Sequence, residues 1–383
     1  MGEVSTNDIE LPDEPREVSR RVKKLRGRDE YDDARRMLEK AFERWPDNPY
    51  IANNLIMALR RSPDRAAQVY QKMQEAGAEP DAYTYSNLIK AFGDAGQPER
   101  AWRAYREMLD LDVDANVVTY SILVKAFGDA GQTERAWEVM KSMREEGVEP
   151  NVVTYNSMIK AFGDAGQPDR AWETCELMLE RGIAPNLITY NSLFKAFGDA
   201  GQPRKAYALF EGMREAGTSP NDYTFNILIK AFGDAGQPDR ALEIYRQMRE
   251  SGLRPNDYTF NILIKAFGDA GRPDRALEIY EEMIERSVEP DVVTFSTLVK
   301  AFGDAGKPHR ARDIYDRMRD ADVQPNVVTF SALIKAFGDA GLCDEAWETF
   351  EEMSRRGVTP NAVTFNVLIK TFGDAGEPRR AED

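Results

Sequence analysis

The heptapeptide Lys-Ala-Phe-Gly-Asp-Ala-Gly begins at Lys90, Lys125, Lys160, Lys195, Lys230, Lys265, Lys300 and Lys335, always 35 residues apart. A ninth copy at Lys370 carries Thr371 in place of Ala. A fixed period of this length constrains the fold more than any local propensity. It means one small supersecondary unit, unable to bury its apolar face alone, stacked against copies of itself.

The unit can be read from Val152 (position 1) to Asn186 (position 35). Tyr155, Met158, Ile159 and Phe162, at positions 4, 7, 8 and 11, form one apolar stripe of a helix. Gly166 follows where a left-handed C-terminal cap favours glycine, and Pro168 suits the first turn of a second helix. That helix carries Ala171, Trp172, Thr174, Cys175 and Met178 inward and ends near Gly182. Pro185 blocks continuation, and Asn186 stands at the next N-cap. The expected fold is therefore all-α, a right-handed α-solenoid (superhelix) of stacked helical hairpins. Residues 1–17 read as a disordered acidic segment, 18–48 as N-terminal capping helices and 49–81 as a degenerate repeat shortened near Arg61. Eight repeats follow over 82–361, with a partial one over 362–383.

Composition narrows function mainly by exclusion. No apolar run approaches the ~20 residues of a membrane span, so no membrane insertion is expected. The two cysteines, Cys175 and Cys343, occupy unrelated repeat positions and predict neither a disulfide framework nor a zinc site. The single histidine, His309, reads as an inter-helix turn residue without catalytic partners. No carboxylate cluster departs from the repeat and no deaminase signature is present, so neither enzymatic activity nor a cofactor is expected. The net charge of −15 runs against the basic footprint usual for nucleic-acid binders.

Three columns do not serve the core. Position 2 faces away from the apolar stripe yet is apolar or aromatic throughout: Tyr83, Val118, Val153, Ile188, Tyr223, Tyr258, Val293 and Val328, then Val363. Either a neighbouring repeat or something flat and apolar must lie against it. Position 5, about 60° away on the same open face, holds only Ser or Asn: Ser86, Ser121, Asn156, Asn191, Asn226, Asn261, Ser296 and Ser331, then Asn366. Both are mediocre helix formers, so the column points to a specific polar contact or to tolerance at a helix start. Position 35 is Asn or Asp: Asp81, Asn116, Asn151, Asn186, Asn221, Asn256, Asp291, Asn326 and Asn361. These are good N-caps, and capping leaves room for recognition.

A 35-residue helical hairpin opening Val-Val-Thr-Tyr-Asn and closing Pro-Asn, as in Asn151–Asn156 and Asn326–Ser331, resembles the pentatricopeptide repeat family over residues 49 to 383. The tetratricopeptide repeat, with 34 residues, fits less well. The resemblance implies an organellar single-stranded RNA binder, in the mitochondrion or chloroplast, acting in RNA processing, stability or translation and reading one base per repeat. Position 2 would clamp each base, while positions 5 and 35 would select it. Asp only accepts hydrogen bonds and suits the ring N–H of uracil or guanine, whereas Asn also donates and suits adenine or cytosine. Ser at position 5 leaves room for a purine; Asn favours a pyrimidine. Carried over, Ser86/Asn116 and Ser121/Asn151 imply A, A, and Asn156/Asn186, Asn191/Asn221 and Asn226/Asn256 imply pyrimidines. Asn261/Asp291 then implies U, and Ser296/Asn326 and Ser331/Asn361 imply A, A. The site is 5′-AAYYYUAA-3′, with Asn53 and Asp81 of the degenerate unit able to add a 5′ U.

One departure concerns charge. The family commonly has Lys at position 13, near the phosphates, but here that position is Asp from Asp94 to Asp374. Lys at position 9, the phosphate-facing candidate in each repeat from Lys90 to Lys335, lies one turn away, so the two columns roughly cancel. Asp in a last helical turn also opposes the macrodipole, at ~0.3–1 kcal/mol each. Arg at position 19 (Arg100, Arg135, Arg170) is the expected compensating partner. The alternative function is an acidic architectural solenoid that wraps a partner protein or serves as a protein-binding subunit of an organellar ribosome or other large assembly, its partners then being protein subunits of an organellar ribonucleoprotein complex.

Overall fold

A computed structural model describes residues 11–376, which contain twenty-one helices and no strand. The repeat folds as a hairpin throughout. Helix A covers positions 1–13, as in α5 (Ala82–Asp94), α7 (Val117–Asp129) and α9 (Val152–Asp164). Helix B covers positions 17–29, as in α6 (Pro98–Asp110), α8 (Thr133–Glu145) and α10 (Pro168–Glu180). The last described element, α21 (Ala362–Asp374), is a helix A; the second helix expected for this partial repeat falls largely on residues 377–383, outside the described residues.

The chain divides into two units, residues 1–196 and 197–383, with the division inside α11 (Leu187–Asp199). The first opens with α1 (Pro15–Arg26) packed on α2 (Tyr31–Arg44), then α3 (Pro49–Ala58) on α4 (Pro63–Glu75). Pro15, Arg16 and Glu17, expected within the disordered segment, instead form the first turn of α1; proline there forfeits no intrahelical bond. Residues 1–10 of that segment lie outside the described residues. The shortening near Arg61 falls on helix A: α3 has ten residues against the usual 13, and Leu59 to Arg61 make the turn.

Within each unit, helix A packs on its own helix B and on the helix A one repeat along, as α5 does on α6 and α7. Tyr155, Met158, Ile159 and Phe162 are all within 1% of complete burial, as are Ala171, Thr174, Cys175 and Met178 of helix B; Trp172 is only half-buried. Helix B also sends a ring to position 4 of the next repeat. Tyr105–Tyr120 and Tyr245–Phe260 lie 5.6 and 5.8 Å apart edge to face, and Tyr315–Phe330 lie 5.6 Å apart and tilted, so rings tie these repeats together.

The two glycines of the heptapeptide do different work. Gly166 at position 15 has φ +69°, the left-handed cap expected of it. Gly163 at position 12 is ordinary helix, but a Cβ there would lie 2.9 Å from the Cβ of Ala196, position 10 of the following repeat. Gly128 meets Ala161 the same way at 2.7 Å, and Gly268 meets Ala301 at 2.8 Å. The Ala and Gly of the motif are thus the contact that lets successive A helices approach closely.

Two isolated residues settle simply. His309 is not in a turn but in the first turn of helix Pro308–Asp320, its ring edge-on to Phe337 at 6.3 Å. Cys175 is a buried free thiol whose pKa burial pushes up to about 11. Among the described residues no helix is long and apolar enough to cross a membrane, and no group of His, Cys, Asp or Glu could hold a metal ion.

Candidate nucleic-acid interface

Helix A begins with its N-cap, and the cap builds the site. In Asn151, Oδ1 accepts from the N–H groups of Val153 (2.9 Å) and Thr154 (3.1 Å) and from the Thr154 hydroxyl (3.2 Å). Asn186 and Asn326 repeat this pattern, and Asn221, Asn256 and Asn361 bond the position 3 N–H and hydroxyl. Because the backbone partner is a donor, the capping atom must be the side-chain oxygen, and the amide nitrogen is left over. Asp291 caps with one oxygen: Oδ1 takes the Thr294 N–H (2.9 Å), the Thr294 hydroxyl (2.9 Å) and Asn261 Nδ2 (3.3 Å). Burial alone would raise this carboxyl, but those bonds outweigh it and hold its pKa below the usual carboxylate range; Asp81 behaves alike. Position 35 therefore presents a spare donor where it is Asn and a spare acceptor where it is Asp.

A wholly buried threonine column at position 3, unremarked from the sequence, explains much of position 5. Thr119, Thr154, Thr189, Thr259, Thr294, Thr329 and Thr364 are 0% exposed. The hydroxyl of each bonds the position 5 oxygen of the preceding repeat. The distances are 3.1 Å for Ser86, 2.7 Å for Ser121, 2.6 Å for Asn156, 2.8 Å for Asn226, 2.7 Å for Asn261, 2.7 Å for Ser296 and 2.8 Å for Ser331. The hydroxyl sits between that oxygen and the position 35 cap, so an oxygen at position 5, which Ser and Asn both supply, completes the bonding of a buried group. Restriction of the column to two residues thus has a structural cause besides any ligand. Asn adds a donor: Asn156 Nδ2 reaches Asn186 Oδ1 at 3.2 Å, and Asn53 Nδ2 reaches Asp81 Oδ1 at 3.2 Å. Asn191 is buried at 8% exposure. The only signal for this bridge in the sequence is the recurrence of Thr at position 3.

Position 2 is open. Tyr83, Val118, Val153, Ile188, Tyr223, Tyr258, Val293 and Val328 are each 50–63% exposed, which excludes the neighbouring repeat as their cover. Tyr50, in the same register of the degenerate unit, is 55% exposed and extends the column by one.

From Lys125 to Lys335 the position 9 lysines are exposed but not free. Lys160 Nζ lies 3.0 Å from Asp164 of its own repeat and 2.7 Å from Asp129 of the preceding one. Lys265 and Lys335 are likewise bridged on both sides at 3.0–3.2 and 2.7–3.0 Å, and Lys300 at 2.9 and 3.3 Å. Lys125 and Lys230 bond their own Asp closely and reach the preceding one at 3.9 and 4.0 Å; Lys195 holds Asp164 at 2.8 Å. Burial would raise the Asp129, Asp164, Asp234 and Asp304 carboxyls, but bonds from two lysines each lower them. Lys160, Lys265, Lys300 and Lys335 are raised by the same bonds. The compensation expected from Arg at position 19 comes instead from these lysines. Arg135 and Arg170 pair with Glu99 and Glu134 of the preceding repeat and lie over the Phe127 and Phe162 rings at 4.4 and 4.1 Å; Arg100 pairs with Asp64 at 2.6 Å. The arginine stays on its own helix A phenylalanine and turns its charge to a carboxylate on the adjacent helix B.

Models of the pentatricopeptide repeat domain match residues 103–165 and 278–340. Models of the PPR repeat family match 150–199, 187–234, 225–269 and 326–374, and the PPR repeat matches 83–113 and 258–288. Together they run from residue 83 to 374 unbroken. The chain belongs to the pentatricopeptide repeat family. A tetratricopeptide repeat model matches residues 20–81, ahead of the first pentatricopeptide match. No curated protein matches the sequence. Among solved structures, the pentatricopeptide repeat protein PPR10 from maize is 24% identical with a TM-score of 0.59, over 90% of this chain and 60% of that one. PPR10 in complex with an 18-nucleotide psaJ RNA element is 23% identical with a TM-score of 0.51, over 95% and 62%. This chain thus spans about three fifths of the length of those structures, and the likeness is one of fold: an all-α solenoid of pentatricopeptide repeats.

Proposed function

We propose that this protein binds single-stranded RNA sequence-selectively, one base per repeat, at 5′-AAYYYUAA-3′. The observation that carries the reading is the divided use of position 35. One oxygen is spent on the cap in Asn and Asp alike, so the residues differ only in the spare atom, a donor in Asn and an acceptor in Asp291. That atom adjoins a half-exposed apolar column that nothing in its own unit covers. A flat base resting on position 2 would bring its Watson–Crick edge toward positions 5 and 35. The base-selecting and base-stacking residues are those named from the sequence. An organellar role, in the mitochondrion or chloroplast, belongs to the same proposal and would be read by fractionation.

The lysine column takes a smaller part than the sequence suggested. Each cation shared with Asp releases little on meeting a phosphate, so the salt dependence of binding should be shallow. The same pairing favours the second reading, an architectural solenoid for protein subunits. Titration of the full chain with the octamer and a scrambled control separates the two; equal or absent binding supports the scaffold. Asp291→Asn should keep the cap and shift preference at the sixth base from U toward C. Unchanged preference there would refute the assignment of bases by position 35.

A further inference from the structure

The lysine–aspartate ladder has a beginning, and its first member is unlike the rest. From Lys125 onward each position 9 lysine has an aspartate in the preceding repeat. Ahead of Lys90 the corresponding residue is Arg61, with Arg60 beside it. The degenerate unit's own position 9 is Met57, whose Sδ accepts from the Tyr83 hydroxyl at 3.5 Å. Among the described residues Arg60, Arg61 and Lys90 have no carboxylate partner.

These three cations line one open groove of about 1210 Å³ in the first unit, together with Tyr83 and Asn87. Asn87 is a second, independent sign of a missing ligand. It is only 8% exposed and lines this groove, and its Nδ2, shielded from solvent, has no hydrogen-bond partner; turning the amide about χ2 exchanges its oxygen and nitrogen and would bring that donor to the groove face. Tyr83, Asn87 and Lys90 stand at i, i+4 and i+7, on one stripe of α5. Four cations line the groove against two carboxylates, Asp94 and Asp129, and both carboxylates are engaged by Lys125. The uncompensated charge therefore lies at the α3 end. Several donors of one sign around an exposed aromatic ring suit a tetrahedral oxyanion attached to a base.

We infer that Arg60, Arg61, Lys90 and Asn87 form a phosphate seat that anchors the RNA strand at the first repeats. This rests on the RNA-binding reading above. The phosphate could be a terminal phosphomonoester or an internal phosphodiester, and the two are separable.

The test is the full-length variant Arg60→Gln/Arg61→Gln/Lys90→Gln, with Asn87→Leu as a milder companion, assayed by fluorescence anisotropy. Probes are the octamer extended by two nucleotides at each end, its scrambled control, and versions phosphorylated at the 5′ or the 3′ end. The triple variant should keep the wild-type melting temperature and base preference. It should lose about tenfold in affinity near 0.1 M salt, and the slope of log Kd against log salt should fall by about 2, at ~0.7 per phosphate contact. A gain from one terminal phosphate that vanishes in the variant identifies the monoester; loss without such a gain identifies the diester. Unchanged affinity and slope overturn the seat. Wild-type protein that ignores sequence while the variant still loses affinity and slope refutes the base code and leaves the seat standing. Wild-type protein that binds no RNA overturns both.

Discussion

Gly128→Ala tests whether close helix approach, not local propensity, fixes the glycine at position 12. On an isolated helix the change should stabilise by up to ~1 kcal/mol, because alanine is the better helix former. In the array, the new Cβ would sit 2.7 Å from the Ala161 Cβ and 3.7 Å from the Ser157 carbonyl oxygen. Neither Cβ can rotate away, so the A helices must part by about 1 Å to regain a 3.5–4.0 Å contact. Overpacking of this kind costs ~1–3 kcal/mol, which exceeds the propensity gain and leaves a net loss of about 1–2 kcal/mol. Gly373 provides the internal control: it occupies the same position in α21 but has nothing within 4 Å of its would-be Cβ. Gly373→Ala should therefore raise stability by ~0.5–1 kcal/mol. The assay is urea unfolding by far-ultraviolet circular dichroism, with amide hydrogen exchange of helices 117–129 and 152–164 reporting locally, since repeat arrays need not unfold in one step. Adding Ala161→Gly to Gly128→Ala should return a coupling energy of at least ~1 kcal/mol. Equal stabilisation by Gly128→Ala and Gly373→Ala would refute the argument.

The remaining expectations concern the ladder, the threonine bridge and the open column. The Asp129, Asp164, Asp234 and Asp304 carboxyls are lowered in the fold, so their contribution is complete above the unfolded value of ~3.9 and lost as pH falls through the lower folded value. The raised lysines contribute fully below ~10.4 and lose that contribution as pH rises through their higher folded values. The ladder's part of the melting temperature should therefore stay flat between about pH 5 and 9, and replacing Asp129, Asp164, Asp234 and Asp304 together by Asn should shift the curve by a constant over that range. Thr294→Val removes the hydroxyl shared by Asp291 and Asn261 and should cost ~1–3 kcal/mol in urea unfolding, because the Asn261 oxygen is left half-buried without its donor. Tyr223→Ala and Tyr258→Ala should each weaken RNA binding by ~1–3 kcal/mol in anisotropy titrations. The same changes should leave the melting temperature nearly unaltered, because both rings are more than half exposed.

The repeated sequence determined the hairpin and its helix limits, and its opening and closing segments carried the resemblance to the family. Positions 4, 7, 8 and 11 must be core because nothing else in the unit could cover them, and Pro168 and Gly166 admit one placement each. Those are local rules, and they repeat. What a neighbour imposes could not be read from one unit. Position 12 reads as a weak helix residue until the next repeat's alanine is set against it. Thr at position 3 reads as an ordinary capping-box partner until its burial and its bond to the preceding repeat are known. The pairing of each position 9 lysine with its own repeat's aspartate could be read from the i,i+4 spacing; only the stacking of A helices brought the aspartate of the preceding repeat to its other side. Tertiary structure also singled out Arg60, Arg61 and Lys90, because an unpaired charge is defined by what stands next to it, and that depends on residues about 30 positions away in the chain.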